Sequence, residues 1–336
     1  MSTRAPAAPP RPQRGFTLIE LMVGLTLGLV VITALLLLFA NASSRGQDLA
    51  RTSIQIENGR YVAEMLREDL RLAGFFGELS VTGATYSQPD PCSTAPTGWN
   101  GAGPLGLPTP VQGYGPTDVL ACLADRKAGT DAIAIRRVGV NSIDPATLAA
   151  GNAQHYVQYS YCVIDVASPR LVFGTDRAAF TLRNRACSGV NLVRPYVSRI
   201  YYISDCNRCG VGGDTLPTLK RVELVAGQLT TTALAEGVEM LRLEYGFDVD
   251  GDGSPDTYLR RPGATGASAL WSNVVAVKAH YLTRSLERDP GAALVGAQQF
   301  QLGATEAVAT AADGYARKAY SSAIRLINPS ASREVQ

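Results

Sequence analysis

The chain has 336 residues, 46% hydrophobic and 18% charged, with a formal net charge of +2. This is ordinary globular composition, sufficient for one large or two small domains whose core needs no staples. Arg4, Arg11 and Arg14 lie in the first fifteen residues. Without them 28 basic residues face 29 acidic ones, so a generally basic nucleic-acid-binding surface is not expected, although a local patch stays open.

Residues 1–15 are too rich in proline for a stable helix. From Phe16 to Ala40 the chain is apolar except for Glu20. A helix of that length rises roughly 37 Å, enough to cross a bilayer core of about 30 Å. Basic residues precede the run, which keeps the N-terminus cytoplasmic and sends the remainder outward. Two rivals are a cleaved secretory signal, for which Ala40-Asn41-Ala42 would serve as the cleavage site, and a plain signal anchor. Neither explains a carboxylate so near the start of the apolar run, where an ionisable side chain points to function.

Residues 41–73 contain no proline, and Leu49, Ile54, Tyr61, Val62, Met65, Leu66, Leu70 and Leu72 recur at helical spacings. Glu57 with Arg60, Arg60 with Glu64, Glu64 with Arg67, and Glu68 with Arg71 are opposite charges at helical distance. Gly74 and Gly77 are the expected stops. Residues 80–118, rich in Pro, Gly, Ser and Thr, read as loop. Beyond them short alternating runs read as strands: 132–135, 156–164, 197–203, 219–225, 238–247, 274–282 and 321–327. Leu241, Leu243, Tyr245 and Phe247 share one face, as do Val275, Val277, Ala279 and Tyr281, with Lys278 and His280 opposite. An antiparallel sheet with one face toward helix and core is expected, and His280 is expected at the surface.

Asp248, Asp250, Asp252 and Asp256 stand at relative positions 1, 3, 5 and 9, with Gly251 and Gly253 among them. Alternate carboxylates around a sharp turn suit Ca2+, which takes oxygen ligands. Position 12 is Leu259 rather than a bidentate glutamate, so this is not an EF-hand. A solvated acidic hairpin turn is the other reading.

The six cysteines, Cys92, Cys122, Cys162, Cys187, Cys206 and Cys209, all follow residue 90, which fits disulfides in an exported domain. Cys206 and Cys209 form a CxxC, expected as a local disulfide, with zinc and redox readings behind it. By proximity, Cys92 with Cys122 and Cys162 with Cys187 are the simplest other pairs among fifteen connectivities. Two histidines, His155 and His280, are too few for a histidine-rich metal site, and no catalytic triad is visible. Gly210-Val211-Gly212-Gly213 is not a nucleotide fingerprint.

Arg14-Gly15-Phe16-Thr17-Leu18-Ile19-Glu20-Leu21-Met22-Val23 resembles the type IV prepilin processing motif. The resemblance implies cleavage between Gly15 and Phe16 by a membrane prepilin peptidase, and N-methylation of the new Phe16 amine. It implies that Glu20 pairs with the N-terminal amine of a neighbouring subunit; in an apolar fibre core such pairing would set axial register between helices. Further segments resemble the PilW family of minor pilins. They are Asp69-Leu70-Arg71-Leu72-Ala73-Gly74-Phe75, Arg199-Ile200-Tyr201-Tyr202-Ile203, Glu236-Gly237-Val238-Glu239-Met240, Tyr245-Gly246 before an Asp-Gly loop, and Trp271-Ser272-Asn273-Val274-Val275-Ala276-Val277. That family often has a cysteine soon after the Gly-aromatic step. Here Phe76-Gly77-Glu78 has none, so its pairing is not carried over.

The expected organisation is therefore α+β and pilin-like: a leader at 1–15, a transmembrane or fibre-core helix at 16–40, an amphipathic continuation at 41–78, and a β-rich head at 79–336. The expected role is non-enzymatic: a minor pilin in assembly initiation or the tip complex. It would sit in the bacterial inner membrane with a periplasmic head, then in the pilus fibre. Expected partners are other minor pilins, the major pilin, the prepilin peptidase, the inner-membrane assembly platform, membrane lipid and a tip adhesin; nucleic acid is not expected. A minor pseudopilin of a type II secretion system and a tip receptor for DNA or a surface are the alternatives.

Overall fold

The computed structural model describes residues 15, 17–96, 98–165, 169–263, 266, 270–288, 296–304 and 306–334. It divides into two units, residues 1–53 and 54–336. Of the leader and processing site, only Gly15 is described; residues 1–14 and Phe16 lie outside the described residues.

The first unit contributes the start of α1 (Leu18–Leu72). Leu18–Ser43 is long and apolar enough to cross a membrane, with a mean hydropathy of 2.7, and none of it is buried. Its two threonine hydroxyls are satisfied within the helix. Thr26 Oγ1 donates to the Met22 and Val23 carbonyls at 3.0 Å, and Thr33 Oγ1 donates to the Leu29 carbonyl at 2.8 Å. Such internal bonding lets a polar side chain sit in lipid without an unmet donor.

In the second unit α1 buries one stripe: Gln55, Gly59, Val62, Leu66, Asp69, Leu70 and, just past its end, Ala73. The steps of three and four place these residues on one face. Leu49, Ile54 and Tyr61, expected on the apolar stripe, are instead exposed, and Gln55 and Asp69 take inward places. Each inward polar group has a partner: Gln55 Nε2 donates to the carbonyls of Thr283 (3.0 Å) and Ala316 (3.1 Å). Of the expected charge pairs, Arg67 and Glu64 are at 3.5 Å. Gly74, at φ +70°, ends the helix, and a Cβ there would come within 2.9 Å of Pro110.

The head follows as β1 (Thr85–Ser87), β2 (Gly106–Pro108), β3 (Val111–Tyr114), β4 (Ala132–Val138), β5 (Tyr156–Tyr159), β6 (Leu171–Gly174), β7 (Val193–Ser204), β8 (Thr218–Val225), β9 (Gln228–Glu236), β10 (Val238–Phe247), β11 (Thr257–Leu259), β12 (Val274–Arg284), β13 (Gln299–Gln301), β14 (Ala307–Ala309), β15 (Arg317–Arg325) and a short helix α2 (Ile327–Glu334). One antiparallel sheet has the order β11-β10-β12-β15. A seven-stranded sheet runs β3-β4-β7-β5-β6, with β8 on β7 and β9 on β8. Two small pairs, parallel β1–β2 and antiparallel β13–β14, complete the set among the described residues. The expected single sheet is thus several.

The main core joins Val62, Leu66 and Leu70 of α1 to Tyr201 and Ile203 of β7, Leu241, Leu243 and Tyr245 of β10, and Val277, Ala279 and Tyr281 of β12. Across β10 and β12, Leu241 faces Tyr281, Leu243 faces Ala279 and Tyr245 faces Val277, so the alternating faces meet in register. Residues 80–118, expected as loop, instead supply three strands and much of a second core. There Trp99 lies 4.7 Å from Tyr196 and 5.6 Å from Phe173, ring centre to ring centre. Packing against residues far along the chain outweighs the turn-forming composition. His280, expected at the surface, is buried: its Nδ1 is 2.7 Å from Ser321 Oγ on β15, and its Nε2 is 3.4 Å from Glu244 Oε2 on β10. Neighbouring strands on both sides enclose it with polar groups.

Candidate functional site

Glu20 is the one ionisable side chain in the apolar span, and its carboxylate closes the N-terminus of α1. Thr17 donates to Glu20 Oε2 from both its backbone N–H (3.0 Å) and its hydroxyl (2.9 Å), and the Glu20 N–H donates to Thr17 Oγ1 at 3.3 Å. This is a reciprocal capping box, and the Thr-x-x-Glu spacing carries its signature in the sequence. Only Oε2 makes hydrogen bonds among the described residues, which leaves Oε1 to accept from a cation.

The aspartate loop connects β10 to β11. Asp248 is wholly buried and accepts from the N–H groups of Gly251 (2.6 Å) and Gly253 (3.0 Å). Arg333 on α2 adds a guanidinium contact at 3.3 Å. Both glycines have positive φ, +89° and +85°, and a Cβ on Gly253 would come within 2.7 Å of the Ser330 carbonyl. Asp256 Oδ2 accepts from the Val249 N–H at 2.6 Å. Asp248, Asp250 and Asp256 each bring a carboxylate oxygen within 4.8 Å of the other two. Asp252 does not join them; its Oδ1 accepts from the Ser254 N–H at 2.7 Å. The loop therefore offers three hard oxygen donors suited to Ca2+, together with an arginine absent from the sequence expectation.

Asp69 occupies a buried position on α1 that sequence reasoning did not single out. Its carboxylate accepts from Arg199 Nη1 at 2.7 and 2.8 Å, from the Tyr201 hydroxyl at 2.5 Å and from Arg137 Nη2 at 3.3 Å. Burial pushes its pKa up, but the hydrogen bonds from Arg199 and Tyr201 and the charges of Arg199 and Arg137 outweigh this and hold it below the usual range. The same network pushes the Arg199 guanidinium up, Asp69 and Glu223 overcoming its burial. One carboxylate thus ties the last turns of α1 to β4 and β7.

All six cysteines are paired: Cys92 with Cys122, Cys162 with Cys187, and Cys206 with Cys209. With Cys162 and Cys187 bonded to each other, they have no thiolates to offer a zinc ion beside the CxxC. The first two bridges span 30 and 25 residues and the third only 3. On chain entropy alone the long ones restrict the unfolded state by about 3.5 kcal/mol each and the short one by about 2 kcal/mol. The short bridge follows β7 and rests on a partly buried ion pair, Lys220 Nζ to Asp125 Oδ2 at 2.7 Å. Asp125 also accepts from the hydroxyls of Tyr202 and Ser204, both at 2.8 Å. Burial pushes the Asp125 carboxyl up, while Lys220, Ser204 and Tyr202 pull it lower overall.

Residues 10–36 match the family model described as "Prokaryotic N-terminal methylation motif", and residues 200–328 match that described as "Type IV Pilus-assembly protein W". No curated protein matches the chain. Among solved structures, the type IV-like pilin TTHA1219 from Thermus thermophilus is similar at 14% identity over 60% of this chain and 78% of that one. The TM-score of 0.27 is too low for that likeness to bear on the fold.

Proposed function

We propose that the chain is a type IV pilin-like minor pilin of the PilW family that acts in the complex that initiates pilus assembly or forms the fibre tip. The observation that carries the reading is Glu20, a carboxylate at the head of a 26-residue apolar, unburied span just after the Gly15–Phe16 step. An ionised carboxylate in an apolar surround is costly unless paired. In the proposed mechanism the peptidase cuts after Gly15. The new Phe16 amine is methylated, and the ammonium of one subunit pairs with Glu20 of the next. That contact sets the axial step between helices, because a slip along either helix separates the two charges.

The apolar span holds the subunit in the inner membrane, with the head on the periplasmic side, until it joins the fibre. The head is proposed to contact other minor pilins, the major pilin and a tip adhesin, and its role is structural rather than enzymatic. For the aspartate loop we carry forward Ca2+ ligation by Asp248, Asp250 and Asp256, with Arg333 as a competing cation.

A clean gene deletion, scored in parallel for surface pili with twitching and for secreted exoenzymes, tests the reading. Loss of pili with normal secretion is expected, and E20A should reproduce it without loss of the protein from the membrane. Loss of secretion with normal pili would move the protein to a secretion pseudopilus.

A further inference from the structure

The Cys206–Cys209 bridge differs from the other two in what surrounds it. Cys209 is an exposed residue and Cys206 a partly buried one, so the bridge lies at the surface. Beneath it lies a polar cluster drawn from three segments. Lys220 Nζ on β8 is 3.1 Å from Cys209 Sγ, and Asp125 Oδ2, from the segment before β4, is 3.2 Å from the same sulfur. Ser204 Oγ, at the end of β7, is 3.5 Å from Cys209 Sγ and 3.6 Å from Cys206 Sγ. Lys220 is itself almost wholly buried, with 5% of its surface exposed. By contrast, the described polar contacts of the other bridges are to backbone, with the Cys122 N–H on Cys92 Sγ at 3.2 Å and the Arg185 carbonyl 3.9 Å from Cys187 Sγ.

A buried ammonium against sulfur stabilises a thiolate, and Asp125, ionised and bonded to Lys220, holds that ammonium charged beside it. The remaining charged groups on the loop are turned to other partners or to solvent. Asp214 accepts from the Asn207 and Arg208 N–H groups, Asp205 pairs with Lys127 at 3.5 Å, and Arg208 is exposed. The short span of the bridge also gives it the least to contribute as a staple.

We propose that Cys206–Cys209 is an exchange-active disulfide that accepts two electrons from a cysteine dithiol of a partner protein, with Cys209 as the sulfur that engages the partner and Lys220 as its positioning residue. A partner thiolate attacks Cys209 Sγ. The new S–S bond forms as the Cys206–Cys209 bond breaks, and Cys206 leaves as a thiolate that takes a proton. The partner's second thiolate then attacks its own sulfur in the mixed disulfide and expels Cys209, whose thiolate Lys220 holds. The partner ends as a disulfide and this chain as a dithiol; of the two protons shed by the partner's thiols one passes to Cys206 and the other to Cys209 or to solvent. Two electrons have moved, and the reverse sequence reoxidises the pair.

The test uses the full chain in detergent, opened with limiting dithiothreitol, alkylated at intervals and mapped by peptide mass. Opening of Cys206–Cys209 at least about tenfold faster than either other bridge is expected. In the reduced protein, iodoacetamide labelling of Cys209 should show a midpoint below the free-thiol value of about 8.5. The midpoint should move up in K220M and stay low in K220R. Opening at the same rate as the other two bridges, or a Cys209 midpoint at or above the free-thiol value, overturns the proposal. The wild-type profile decides this even where K220M does not fold.

Discussion

Removing the Asp69 carboxylate should release the end of α1 from the sheet below it. In D69A the Arg199 guanidinium loses its two short contacts and the Tyr201 hydroxyl loses its acceptor. Breaking one side of a buried ion pair costs about 3–5 kcal/mol. Some of that is recovered here, because Arg199 keeps Glu223 at 2.7 Å and the Arg137 side chain is 12% exposed and reaches water. A loss of about 2–3 kcal/mol therefore follows, or roughly 3–5 °C in Tm for a head of this size. D69N, which keeps an acceptor, should lose about half as much. Its difference from wild type carries a pH signature. The folded carboxyl lies below its unfolded value, so its contribution is complete above the ordinary aspartate range and is lost as pH falls through the folded value. Thermal melts of the detergent-solubilised chain should show a constant wild-type minus D69N gap from neutral pH to about pH 5, closing below it. A D69A melt within about 1 °C of wild type would refute the assignment of Asp69 as the tie.

Gly59 lies against the ring of Tyr320, and its carbonyl accepts from the Tyr281 hydroxyl at 2.6 Å. G59A should displace that ring and cost about 1–3 kcal/mol by denaturant titration, with an unchanged midpoint refuting the close packing. The paired change C92S/C122S should cost about 2–4 kcal/mol, and C206S/C209S less, when both are compared by urea midpoint. R333A leaves the buried Asp248 with only backbone donors and should lower stability by about 1–3 kcal/mol. If Asp248, Asp250 and Asp256 bind Ca2+, millimolar Ca2+ should release heat in calorimetry and recover part of the R333A loss. No heat and no thermal shift in either protein removes the calcium proposal.

The parts of this fold legible in the sequence are those with local periodicity. β10 and β12 show strict alternation, and their apolar faces enter the core as the pattern requires. The helix end is legible too, because Gly74 adopts the left-handed backbone that an L-residue avoids. β1 and β2 were not legible, since parallel pairing and the Trp99 cluster depend on residues far along the chain. β9 was missed because Thr230, Thr231 and Thr232 are exposed in succession and show no two-sided pattern. Asp125 and Lys220 are 95 positions apart and meet because Arg126 bridges to Ser204 at the end of β7 while β8 pairs along the same strand. Asp69 looked like one more charge on an amphipathic helix, and only its arginine partners on β4 and β7 single it out. The Thr17–Glu20 capping box, by contrast, is written in the Thr-x-x-Glu spacing ahead of the apolar run.

The stripe of α1 is completed by residues made much later. Gln55 bonds the carbonyls of Thr283 and Ala316, Gly59 receives Tyr281, and the Ala73 carbonyl receives Asn328 Nδ2 at 3.2 Å. A chain delivered amino end first therefore emerges with Val62, Leu66 and Leu70 uncovered and cannot sheathe them until β12, β15 and α2 arrive. Contacts of such long sequence separation fold slowly. During that interval the helix is a target for holdases and proteases. A premature stop within β15 would not shorten the head by a strand; it would leave the oldest part of the domain without its lid and send the product to degradation.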